Sequence, residues 1–254
     1  MIHSIFRYLS VLVLISIISC DLGLMKVSGE PPTKILVVYD SPFCHWLREY
    51  SLVRDILSSI GIIDYYWGSI VKKFVSQLGA EGFVRGRGYK LIVIIHFFKG
   101  YSKEIDELIE ASLRCGCSFL FLVQSEECNV VLRKVGLSYV RASPICNVST
   151  NLIVDHEALL GVWRVGVREW CLCGYYTTHS GDVFGAVYSN ESWWGVRRAL
   201  VVLGEVGNGR VAAVAPYLFA EDVYDNRVLL ENVVRWLLGM EIKSGELSLI
   251  HISE

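Results

Sequence analysis

Three uninterrupted apolar runs constrain this chain more than any other feature. Ile35-Leu36-Val37-Val38 lies within Lys34–Tyr39, Leu91-Ile92-Val93-Ile94-Ile95 within 91–98, and a third run covers 119–123. Side chains alternate between the two faces of a strand, so a run that is apolar at every position must be covered on both. The segments between the runs have helical spacing. Leu52, Val53, Ile56, Leu57 and Ile60 recur on one face before Gly61, and 69–78 forms a second helix stopped by Gly79. Ser102 is expected to cap a third helix, with Ile105, Leu108 and Ile109 inward and Lys103, Glu104 and Asp106 outward. A fourth spans 126–135 and ends at Gly136. The resulting order, β-α-β-α-β-α-β-α, predicts an α/β fold: a doubly wound, mostly parallel, flavodoxin-like sheet with helices on both faces.

The second half reads differently. Residues 137–188 are strand-rich, irregular and aromatic, which predicts an antiparallel extension of the sheet. Strands at 198–205 and 210–215 are joined through Gly207-Asn208-Gly209, a hairpin signal. The last helix is predicted over 225–238 with Gly239 beyond its end. Val228, Leu229, Val233, Trp236 and Leu237 form its apolar face, and Arg227, Glu231 and Arg235 an outward row.

Of 254 residues, 53% are hydrophobic and 20% charged, enough apolar material for a core and too much for disorder. The net charge of -2 argues against a nucleic-acid partner. The basic cluster Arg85-Gly86-Arg87-Gly88 is expected to be a solvated loop. At the N-terminus Arg7 precedes a short apolar run, and Ile17-Ile18-Ser19-Cys20 resembles a lipobox, with Cys20 as the lipidated residue. Residues 1–25 are therefore expected to be a lipoprotein signal or signal anchor, 26–33 a linker, 34–240 the α/β domain and 241–254 a tail whose end is artefactual. This predicts an extracytoplasmic, membrane-anchored protein; translation from Met25 is the alternative and would leave it cytoplasmic.

The eight cysteines include Cys115/Cys117 and Cys171/Cys173. In a strand each pair would face one way, suiting a disulfide with a partner elsewhere, a thiophilic metal or thiol redox chemistry; buried small hydrophobes are the simpler reading of the first pair. Asn147-Val148-Ser149 and Asn190-Glu191-Ser192 are sequons, in keeping with export. Trp193-Trp194 with Tyr175, Tyr176 and Tyr188 could stack on sugars, though core packing accounts for them more simply.

The closing segment carries a resemblance. Gly209-Arg210-Val211-Ala212-Ala213-Val214-Ala215-Pro216, a polar loop and the helix from Asp225 resemble the strand-loop-helix end of the class I glutamine-amidotransferase-like superfamily. The branch it resembles is the non-catalytic one, found in gliding-motility accessories, intraflagellar-transport proteins and trehalose-utilisation-like domains. Asn151-Leu152-Ile153-Val154-Asp155-His156, then Gly161-Val162, resembles its Asp-His-Pro segment, with Glu157 in place of proline. The resemblance implies where chemistry would lie: a cysteine on a glycine-flanked elbow after the fourth strand and a histidine after the last. Here Val123-Gln124-Ser125-Glu126-Glu127-Cys128 lacks the glycines, and Tyr217-Leu218-Phe219-Ala220-Glu221 holds no histidine. Glutamine hydrolysis needs both groups, so it is not expected.

An open parallel sheet binds ligands beyond the carboxyl ends of its strands. That edge nominates Asp40, Ser41, His45, His96, Gln124, Glu126, Tyr217 and Asp222 as ligand-binding residues, beside Cys44. Without Gly-x-Gly-x-x-Gly or a P-loop, nucleotides are disfavoured, and no cofactor or resident metal is expected. The predicted function is a non-catalytic domain that binds a small ligand or protein partner and serves a transport system. The alternative is a carbohydrate-linked hydrolase using Asp40, His45 and Glu221.

Overall fold

The computed structural model describes residues 32–39, 50–95, 103–123, 125–193, 196–215 and 217–242, the side chains of 170, 191–193 and 196–197 excepted. From Thr33 onward the chain forms one compact unit. The first half runs β1 (Lys34–Tyr39), α1 (Ser51–Ile60), β2 (Ile62–Trp67), α2 (Gly68–Leu78), α3 (Ala80–Arg87), β3 (Tyr89–Ile95), α4 (Lys103–Arg114) and β4 (Ser118–Leu122). A turn of α-helix, α5 (Asn129–Leu132), leads into β5 (Leu137–Thr150), β6 (Leu152–Ile153), β7 (Val165–Thr178), β8 (Val183–Trp193), β9 (Val196–Val206), β10 (Gly209–Val214) and α6 (Asn226–Leu237). The fold is α/β.

The sheet runs β2-β1-β3-β4-β10-β9-β7-β5, with β8 on β9 and β6 on β8. Neighbours from β2 to β10 pair in parallel and those from β10 to β5 antiparallel. The apolar runs behave as strand alternation requires. Ile35, Val37, Leu91 and Val93 enter one core with α1 and α6, while Leu36, Val38, Ile92 and Ile94 enter the other with α2, α3 and α4. Among the described residues no helix is long and apolar enough to cross a membrane.

Two expectations are corrected. Residues 126–135 are not one helix: 3-10 turns at Glu126–Cys128 and Arg133–Val135 flank the four-residue α5. Asn129 and the β-branched Val130-Val131 are weak helix formers, and the Asn129 side chain is occupied elsewhere. Arg85-Gly86-Arg87 is not a loop but the end of α3, held down by Ala80, Phe83 and Val84 and closed by Gly88 in the left-handed region (φ 72°) that glycine tolerates. Arg85 pairs with Glu81 one turn earlier, at 3.0 Å. Of the pair Cys171/Cys173, Cys171 follows the expectation of a disulfide with a partner elsewhere. It forms a disulfide with Cys146, its register partner across β5 and β7, at a Cα separation of 4.1 Å. Cys115, Cys117, Cys128 and Cys173 are free thiols, with Cys117 and Cys128 buried. Tyr176 of the expected aromatic cluster is core; the Trp193 side chain and Trp194 lie outside the described residues.

The β9–β10 hairpin closes through Gly207-Asn208, with Val206 facing Gly209. Gly207 takes φ 61°, as a tight two-residue turn demands.

Candidate functional site at the carboxyl edge

The parallel strands β1, β3, β4 and β10 end on one edge of the sheet. Asp40, Ser41, Cys44, His45, His96 and Gln124, expected there, lie outside the described residues, as does Cys20. Two segments of the edge are described: the turn after β4 and the loop after β10.

The turn after β4 is stapled to the edge strand β5. The Ser125 hydroxyl accepts the Glu127 N–H at 3.2 Å, capping the first turn. The Glu126 carboxylate accepts the Arg141 N–H at 3.0 Å. The Asn129 amide pairs both ways with the Tyr139 main chain, donating at 2.9 Å and accepting at 2.6 Å. These bonds carry Cys128 inward, where its surface is 1% exposed. Burial pushes the Cys128 thiol up to about 12, because an apolar shell disfavours the thiolate. A nucleophilic elbow does the opposite: it exposes the sulfur and stabilises its anion.

Behind the turn, Tyr176 fills the space between β4 and β10. Its hydroxyl donates to the Val214 carbonyl at 3.0 Å and lies 3.3 Å from that of Val123, the carbonyls that close the two strands. Full burial raises its phenol well above the ordinary range. Tyr139 packs edge-on at 5.6 Å.

The loop after β10 holds Tyr217, Glu221 and Asp222 together, with Tyr217 in the left-handed region at φ 67°. Its acidic and amide side chains act as a clamp along β7. Glu221, buried, accepts the Arg168 and Glu169 N–H groups at 2.8 Å each. Asn226, fully buried, accepts from the Gly166 N–H at 3.2 Å and donates to its carbonyl at 2.8 Å. Asp225 accepts the Trp163 and Arg164 N–H groups, again at 2.8 Å. The loop thus substitutes side chains for a neighbouring strand, satisfying main-chain groups that would otherwise be unpaired. Asp222 faces the other way and pairs with Arg227 at 2.6 Å. Glu126 bonds β5 through one oxygen, whereas Glu221 bonds β7 through both.

Sequence reasoning missed two further features. A cleft of about 660 Å³ is lined by Glu126, Asn129, Arg133, Ser138, Thr177 and His179, with His179 Nε2 2.8 Å from the Ser138 hydroxyl. The β5–β7 register, Ser138 opposite Thr177, makes that pair, and no local motif announces it. The second is a cluster around Tyr224. The Arg164 and Arg168 guanidinium carbons lie 4.7 and 5.0 Å from its ring centroid, and Arg164 Nε donates to Ser149 at 2.8 Å.

The Asp155-His156 segment serves structure. His156 Nδ1 accepts the Ala158 N–H at 3.1 Å, capping a 3-10 turn, and its ring packs 5.4 Å from both Phe184 and Trp236. Glu157 is the first residue of that turn. A first helical position needs no N–H partner, so proline or glutamate can serve there.

Solved structures share this architecture. The N-terminal domain of mmIFT52 superposes with a TM-score of 0.56 at 13% identity, over 83% of this chain and all of that one. A ThuA-like protein from Parabacteroides merdae follows at 0.55 and 12%, over 84% of this chain and 92% of that one. A GMP synthase component from Thermoplasma acidophilum matches at 0.46 and 13%, over 83% and 100%. No protein-family model matches the chain, and no curated protein is significantly similar in sequence. The fold is the one shared with the IFT52 N-terminal domain and the ThuA-like protein. The first two structures are of the intraflagellar-transport and ThuA-like kinds that the resemblance names.

Proposed function

We propose that this chain is a non-catalytic binding domain that recognises a small ligand or protein partner through the loops at the carboxyl edge. Its parallel half is read as a doubly wound, flavodoxin-like unit. Cys128 carries the proposal: it is the one cysteine in the turn where an amidotransferase-like fold would hold its nucleophile, and it is buried as a neutral thiol. No histidine occurs between β10 and α6 to activate it. The hydrolase alternative would need Glu221 as a free carboxylate, yet both its oxygens already hold main-chain N–H groups. Residues 1–25 would supply the signal and Cys20 the lipid, tethering residues 34–240 outside the membrane through the 26–33 linker, as an accessory of a transport system.

Three measurements test this. Ammonia release from glutamine should stay at the background rate, and turnover abolished by Cys128→Ser would overturn the reading. Labelled palmitate should enter the wild-type chain and not Cys20→Ser; an unlabelled cytosolic chain starting at Met25 would remove the tether. A ligand or partner stabilising the protein should lose its effect with Tyr217→Ala or Asp222→Ala; an unchanged effect would displace binding from this loop.

A further inference from the structure

We propose that Arg164, Arg168 and Tyr224 form a binding site for an oxyanion, the phosphate or carboxylate group of a ligand. The site deepens the binding-domain reading by naming the chemistry recognised, and it rests on that reading only in supposing that the carboxyl-edge loops bind something.

Arg164 and Arg168 are four residues apart along an extended segment, so their side chains leave the same side of the chain. Roughly 13 Å of strand separates their α-carbons at about 3.3 Å per residue. Both guanidinium groups nonetheless close on one ring, within 5.0 Å of its centroid. Two like charges drawn together repel, and a neutralising carboxylate would ordinarily stand between them. Among the described residues none pairs with either. The nearby acids are turned elsewhere: Glu221 and Asp225 grip the main-chain N–H groups of 163, 164, 168 and 169, and Asp222 pairs with Arg227. Those carboxylates fix the backbone that carries the arginines and do not pair with the guanidinium groups.

The cluster is also held ready. Arg164 spends Nε on Ser149 and keeps its Nη groups. Both guanidinium groups lie over the Tyr224 ring, and the planar fork of N–H donors in an arginine matches two oxygens of a phosphate or carboxylate. Tyr224 occupies the left-handed region at φ 51°, a costly conformation for an aromatic residue that persists only where neighbours enforce it. Its phenol is lowered from the ordinary value by the Arg168 hydrogen bond first, then by Ser149 and Arg164, as a local positive field requires. Ser149 also lines a pocket of about 240 Å³ with Asn147, Thr150, Ser189 and Asn190, which gives the body of a small ligand a place beside its charged end.

The test is calorimetric titration of the full chain, in low-salt buffer free of competing oxyanions, with inorganic phosphate and separately with succinate. Saturable 1:1 binding of at least one probe is expected, weakened about tenfold or more by Arg164→Gln and by Arg168→Gln, a loss of about 1.4 kcal/mol or more. Arg54→Gln, which removes a surface arginine paired with Asp55 on α1, should change nothing. Phosphate binding without succinate binding assigns the natural group as phosphate, and the reverse as carboxylate. Should the glutamine variants unfold, phenylglyoxal modification of the wild-type chain reads the same site, with the bound anion slowing modification of Arg164 and Arg168. Failure of both probes to bind, affinity unchanged in both folded variants, or modification rates unmoved by either anion overturns the site. A chain that binds a partner but neither anion sinks the site alone; glutaminase activity beside intact anion binding sinks the binding-domain reading alone.

Discussion

The state of Cys128 decides whether the turn after β4 is chemically dead, and it can be read directly. Burial raises its thiol from the ordinary value near 9 to about 12. At pH 8 a thiol of pKa 9 is roughly one-tenth thiolate and one of pKa 12 roughly one part in ten thousand, a deficit of about a thousandfold. Higher basicity makes the remaining thiolate more nucleophilic. With a Brønsted slope of about 0.45, three pKa units restore roughly twentyfold. The net expectation is a reaction with Ellman's reagent about fiftyfold slower than in the unfolded chain. Exclusion of the reagent from a buried sulfur adds to that.

The assay is peptide-resolved labelling of the native chain and of the chain in guanidinium chloride, with mass spectrometry assigning the rate to Cys128. Cys117 serves as an internal control, since burial brings it to the same range. Cys115 and Cys173, both partly exposed, should react first. Native-state labelling of Cys128 within about fivefold of its unfolded rate would mean an accessible thiolate at the elbow, and the argument for a non-catalytic domain would fail with it.

The remaining predictions concern the clamp, the disulfide and the arginine cluster. Asn226→Ala removes an amide bonded to Gly166 and to the Glu221 carbonyl, and should cost about 3 kcal/mol in a denaturant titration; a loss below about 1 kcal/mol would mean the clamp is not cooperative. Cys146→Ser opens a loop with a sequence separation of 25, for which chain entropy gives about 3.5 kcal/mol, and the same loss should follow reduction of the wild type. Tyr224 should ionise below the ordinary tyrosine value in an ultraviolet pH titration, because the Arg168 hydrogen bond favours its phenolate, and Arg168→Gln should return it toward that value.

The parts of the fold legible in sequence are those where one physical requirement acts on consecutive residues. A strand covered on both faces has to be apolar throughout, and β1, β3 and β4 announce themselves for that reason. The Gly207-Asn208 turn is equally local. β2 is an edge strand with mixed burial, and its Tyr-Tyr-Trp end carries no both-face signal. The reach of 126–135 failed as a helix because Glu126 and Asn129 satisfy partners on β5, ten or more residues downstream, which no window centred on the turn contains. Cys146 with Cys171, and Ser138 with His179, likewise depend on the β5–β7 register.

The loop after β10 shows how the same limit governs function. Glu221, read as a catalytic carboxylate of the hydrolase alternative, and Asp222, read as a ligand group, have the residue types and the location of a site, and sequence offers no way to see what they already hold. Each buried carboxylate or amide of the clamp replaces a strand that β7 lacks on that side, so the polar atoms are consumed by the main chain of 163–169. A catalytic base placed in this loop would have to release those bonds before each proton transfer, leaving buried N–H groups unpaired at about 1–3 kcal/mol apiece. The free chemistry has therefore moved outward, from the acids of the loop to the guanidinium groups on the segment they grip. Anchoring by acids inside and recognition by bases outside are one arrangement, and weakening the clamp with Asn226→Ala should loosen anion binding at Arg164 and Arg168 as well as the fold.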